Sequence, residues 1–197
     1  MLPVIVGSAL TLSLLGAKAE ALPAWWRAFL ATPRLECAFV QESESAVFGK
    51  LTREGQLKLA KGGRLRVEYR KGLLLVADGR SLVQYDAEAR TAQRLTLRGA
   101  VADSPLLNVL IDPGALEVFY AVQAGPDETV ALEPRRTGIP RVELSGHGGM
   151  LQRIQWTDGT GAKQQIELKD PRQPGQAFAP AVFTFQAPAG TRWLTTH

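Results

Sequence analysis

Residues 55–86, GQLKLAKGGRLRVEYRKGLLLVADGRSLVQYD, constrain the fold more tightly than any other stretch of the chain. Leu57 and Leu59 alternate with polar neighbours, as do Leu65, Val67 and Tyr69, which is the period-two pattern of strands that bury one face. Gly62-Gly63 and Lys71-Gly72 interrupt the runs where hairpins must reverse. Asp78-Gly79 supplies a pair that tolerates the left-handed dihedrals of a tight turn. The stretch reads as three or four successive antiparallel strands whose common face needs an apolar partner.

The flanking sequence supplies that partner and more strands. ALPAWWRAFLA at 21–31 places Leu22, Trp25, Trp26 and Phe29 on one helical face, suited to plugging one end of a sheet. A strand is expected over 36–42 with Cys37 and Phe39 on one side, then an irregular edge strand at 47–51 and a short strand within 89–97. Asp103-Ser104 followed by Pro105 caps a second helix over 104–111, with Leu106, Leu107, Leu110 and Ile111 on a broad apolar face. Strands are expected again at 116–124, 128–135, 140–146, 150–157 and 163–170, before a Pro/Gly-rich loop at 171–180. No linker divides residues 20–197, so they form one domain. A single sheet of about ten strands must curl. The expected class is therefore α+β, a curved half-barrel with two short helices over its concave face. Periodicity does not distinguish an elongated apolar pocket there from a filled core.

Several function classes are excluded by what the chain lacks. The net charge is +4, but acids are interspersed with the bases, unlike the basic stripe of a nucleic-acid binder. One cysteine permits no intramolecular disulfide, and Cys37 reads as a small buried hydrophobe. Two histidines and that lone cysteine form no metal-ligand spacing, and no phosphate loop, nucleophile elbow or dinucleotide fingerprint is present. No cofactor, metal or enzyme activity is expected. Residues 1–19, MLPVIVGSALTLSLLGAKA, have an apolar body without a basic n-region and end in Ala17-Lys18-Ala19. They read as a signal peptide cleaved before Glu20.

The ordered set Phe39-x-Gln41, Gly55 with Leu57, Leu65 to Tyr69, Leu75 to Asp86, Gln93, Pro105-Leu106-Leu107, Leu132-Glu133-Pro134, Leu151, Asp158-Gly159 and Phe183-Thr184-Phe185-x-x-Pro188-x-Gly190 resembles the periplasmic outer-membrane lipoprotein carrier (LolA-like) family. The resemblance implies an unclosed barrel of antiparallel strands with a short-helix lid over an apolar cavity. It implies a monomeric periplasmic chaperone for acylated lipoproteins, loaded by an inner-membrane ABC exporter and unloaded at an outer-membrane receptor. Leu57, Leu59, Leu65, Val67, Tyr69, Leu106, Leu107 and Leu110 are the candidate lipid-binding residues. Lys61 is the candidate latch, because it stands where the family carries a lid-holding arginine, with Gly62 in place of the following proline. Lysine keeps the charge and loses the multi-donor fork. Val67 replaces the tryptophan of well-known members, which leaves room for another acylated or glycolipid client. A non-catalytic binding module with a filled interior is the alternative from a different class, and an enzyme acting on lipid is the third.

Overall fold

The computed structural model describes residues 21–195; the expected signal peptide lies outside them. Among the described residues, twelve strands form one sheet in the order β12-β6-β5-β4-β3-β2-β1-β11-β10-β9-β8-β7, with β12 and β7 at its edges. The strands are β1 (Arg34–Ser45), β2 (Gly49–Ala60), β3 (Arg64–Tyr69), β4 (Leu73–Asp78), β5 (Ser81–Asp86) and β6 (Thr91–Thr96), followed by β7 (Tyr120–Ala124), β8 (Val130–Pro134), β9 (Val142–His147), β10 (Met150–Thr157), β11 (Lys163–Arg172) and β12 (Arg192–Leu194). All neighbours are antiparallel except β12, which runs parallel to β6. The sheet is open, as the sequence pattern implied.

Alternation sets which face is buried. Leu35, Cys37 and Phe39 of β1 lie against Leu59, Leu57 and Gly55 of β2, which in turn face Leu65, Val67 and Tyr69 of β3. Leu132, Val142, Leu144, Leu151, Ile154, Ile166 and Leu168 continue the same buried layer across β8–β11. Gly55 allows one close approach within it. A Cβ there would lie 2.3 Å from the Glu68 carbonyl oxygen and 2.6 Å from the Phe39 ring.

Three short helices cover this concave face. Helix α1 (Ala24–Ala31) packs on β9 and β10, α2 (Leu97–Asp103) on β5 and β6, and α3 (Pro105–Ile111) on β2 and β3. Pro23 precedes α1 with extended backbone, so the helix begins at Ala24 and Leu22 remains outside it. The Ser104 hydroxyl accepts a hydrogen bond from the Leu107 N–H, capping α3 as its sequence predicts. Helix α2 was not anticipated; the Thr96 hydroxyl caps it by accepting from the Gly99 N–H.

Other boundaries differ from the sequence reading. The first part of 116–124 is a 3₁₀ turn, Pro113–Val118, and strand β7 starts only at Tyr120. Residues 47–51 do not form a separate edge strand. They turn and begin β2, because Gly49 takes φ +69° opposite Ser45 in a continuous β1–β2 hairpin. The β4–β5 turn residues are Gly79-Arg80, while the Asp78 carboxylate accepts from the Arg80 and Ser81 N–H groups. On the outer face, Phe185 lies 5.4 Å from Tyr85 over Val83 and Ala92, so the C-terminal segment straps the back of the sheet.

Candidate functional site

The concave face grades from apolar to polar along the strands. At the helix-covered end, the 61–63 turn abuts Leu97 and Ile111 of the lid helices. At the other end Tyr69 packs edge-on to Phe39, its hydroxyl donates to Gln41 at 2.8 Å, and Gln164 donates to the Ser43 hydroxyl. Between these ends the described side chains form a continuous buried cluster. Leu57, Leu59, Leu65, Val67, Leu107 and Leu110 belong to one buried cluster with Trp25, Trp26 and Phe29 of α1. The structure therefore brings six of the eight candidate lipid-binding residues together. Tyr69 is a half-buried neighbour of the same cluster, and the side chain of Leu106 lies outside the described residues.

The lid is not sealed to the sheet on either flank. A 290 Å³ crevice lies between α1 and α3, lined by Phe29, Leu30, Leu59, Lys61, Leu110 and Ile111. A second cleft of 560 Å³ runs along the other side, lined by Gly63, Leu97, Arg98, Ile111, Val118 and Phe119. Ile111 contributes to both. The apolar underside of α3 is thus seated in the core while its margins face open space. Lys61 is exposed at the crevice rim; its backbone N–H donates to the Pro33 carbonyl and its carbonyl accepts from Arg64.

Burial governs the ionisable groups of this interior. Burial, with a smaller contribution from Glu36, pushes the Cys37 thiol up to about 12, so no thiolate is available at neutral pH. Burial likewise pushes the Tyr120 phenol to about 12, and its hydroxyl is the one buried side-chain polar atom without a hydrogen-bond partner among the described residues. Tyr120→Phe should therefore leave stability unchanged or raise it by about 1 kcal/mol, since no bond is lost and one desolvated hydroxyl is removed. A urea midpoint that falls would show that this hydroxyl has a partner in solution. Among the described residues no group of three or more His, Cys, Asp or Glu side chains could hold a metal ion.

Sequence reasoning named none of the layer on β8–β11 as site residues; Leu132 and Leu144 sit in period-two runs, but a register shift between Leu151 and Arg153 breaks the alternation before Ile154. It also gave α1 only the role of an end plug. In the structure α1 forms one wall of the Lys61 crevice and lays Trp25 directly over Gly146.

The sequence is similar to proteins of one family. The family model described as outer membrane lipoprotein carrier protein LolA matches residues 32–186. An outer-membrane lipoprotein carrier protein of Chromobacterium violaceum is 29% identical over 144 residues, 69% of each chain. One from Bordetella pertussis is 28% identical over 156 residues, covering 76% of this chain and 70% of its own length. The crystal structure of a LolA superfamily protein from Nitrosomonas europaea superposes with a TM-score of 0.49 at 9% identity, over 84% of this chain and 99% of that one. With the family model spanning most of the open sheet and its lid, the chain belongs to the outer membrane lipoprotein carrier protein LolA family.

Proposed function

We propose that this protein is a periplasmic carrier that shelters the acyl chains of lipoproteins between the inner and outer membranes. The observation that carries this reading is the apolar trough closed by a short helix with open crevices on both sides. Helix α3 lays Leu107, Val109, Leu110 and Ile111 into the trough. Lifting it exposes side chains worth about 1.5–3 kcal/mol each, or roughly 6–12 kcal/mol together. An acyl chain returns about 0.8 kcal/mol per buried methylene, so a single chain of about ten methylenes offsets some 8 kcal/mol. Two or three chains outweigh the lid. Cargo can thus displace α3 without any covalent chemistry or cofactor.

An inner-membrane ABC exporter is the proposed donor and an outer-membrane lipoprotein receptor the proposed acceptor. The buried cluster also fits a non-catalytic binding module that never opens, and titration with a triacylated lipopeptide separates the two. A carrier forms a soluble equimolar complex and releases the lipid on organic extraction. A protein that leaves the lipopeptide in micelles at every ratio is not a carrier.

Lys61 is proposed to act at the lid seam. Lys61→Leu should change lipopeptide release by about fivefold, the equivalent of about 1 kcal/mol, while the unfolding midpoint stays unchanged because the side chain is exposed. Stopped-flow release from preloaded protein reads this directly. Equal release rates in variant and wild type would assign Lys61 to the solvated surface.

A further inference from the structure

We propose that the tip of the β1–β2 hairpin is a membrane-touching element that places Val47 and Phe48 in the interface of a phospholipid bilayer. Val47 is 81% exposed and Phe48 89%, the highest values among the exposed large apolar residues. Singly scattered apolar residues are ordinary on a surface, but these two are adjacent, and Leu51 on the same hairpin is half exposed.

Their exposure is built into the turn. The Ser45 hydroxyl accepts from the Phe48 N–H at 2.9 Å, and the closing pair Ser45–Gly49 uses the left-handed conformation of Gly49. The three-residue loop 46–48 is thus closed by a glycine in the left-handed region. Residues 49–53 pair with β1 but extend past the end of β3, which begins its register at Gly55. The tip is consequently a firm projection and not a side chain waiting to fold back.

Size and charge select the partner. Two side chains offer far less than the roughly 1,000 Å² that a specific protein interface requires, so a second copy or a protein receptor is poorly served by this tip alone. A bilayer demands no shape complementarity. Around the tip, Lys50 pairs with Glu42 at 2.8 Å, and Glu44 stands between Lys50 and Lys163 in the strand register. With its bases interleaved with acids, the tip suits a zwitterionic surface and needs no anionic lipid. Leu51 also lines a 680 Å³ cleft with Tyr69 and Leu73 at the polar end of the concave face, so the tip stands beside the mouth of the trough.

The inference goes beyond the carrier reading and does not need cargo for its test. Cargo-free protein is floated with phosphatidylcholine vesicles, with and without phosphatidylglycerol. Wild type should bind both equally, and Val47→Ser/Phe48→Ser should lower the partition coefficient at least tenfold with an unchanged unfolding midpoint. Trp193→Ser, at an exposed apolar site on β12, should bind as wild type does. Phe48→Trp should shift its emission to shorter wavelength when vesicles are added. A wild type that ignores phosphatidylcholine vesicles, binding that depends on phosphatidylglycerol, or a double variant that binds undiminished would each overturn the proposal. Loss of vesicle binding in the double variant with lipopeptide loading intact separates this tip from the trough.

Discussion

Leu107→Glu is expected to abolish lipopeptide loading and to cost about 3–5 kcal/mol of stability. Leu107 is buried in the main cluster and sits at the cap of α3, where its N–H bonds the Ser104 hydroxyl. A carboxylate there must take up a proton, or turn to water and carry the helix off the sheet. The second outcome leaves the trough uncovered. Leu107→Met keeps the volume and should cost less than about 1.5 kcal/mol while preserving loading. Urea unfolding and loading measured on the same preparations separate a folding defect from a lid defect. A Leu107→Glu protein with wild-type stability and wild-type loading would remove α3 from the account.

A comparably large loss is expected on the opposite side of the crevice. A Cβ at Gly146 would lie 2.2 Å from the Trp25 ring and 2.6 Å from the Met150 carbonyl oxygen. The second contact is with backbone, which has nowhere to move. Gly146→Ala must therefore unseat Trp25, which also breaks the 2.7 Å bond from its indole N–H to the Glu128 carbonyl. Overpacking and one orphaned carbonyl together predict a loss of about 2–4 kcal/mol and a red shift in tryptophan emission as α1 lifts. Gly159→Ala, with nothing within 4 Å of the added carbon, should be close to neutral. If the two substitutions have equal effects on thermal unfolding, Trp25 does not anchor α1.

How far the sequence could be read follows from the range of the interactions. Strand β10 is legible to the residue, 150–157, because Leu151 and Ile154 have to reach the core and Gly148-Gly149 and Asp158-Gly159 bound the run. The α3 cap is local chemistry and was equally legible. Strand β12 was not: three residues carry no periodicity, and their pairing with β6 bridges about a hundred positions. Helix α2 was hidden by Gly99 and by its short length, and it is held by its fit against β5 and β6. The candidate site shows the deepest limit. Leu57, Leu65 and Val67 alternate identically whether they line a lipid-filled trough or pack beneath α3. In the structure these side chains pack in one cluster with Leu107 and Leu110 of α3, which is the arrangement either reading predicts with the helix in place.

The most direct measurement places the acyl chain relative to the four tryptophans. Trp25 and Trp26 are buried in the trough, Trp156 is half-buried against it, and Trp193 lies on the exposed β12 edge. A lipopeptide with brominated acyl chains, added to the Trp193→Phe protein, should quench most of the remaining emission at equimolar ratio, and an unbrominated lipopeptide should not. That result requires the chains to enter beneath the lid. A lipopeptide that binds with equal affinity yet leaves the buried tryptophans unquenched would put the lipid outside the trough and contradict the account.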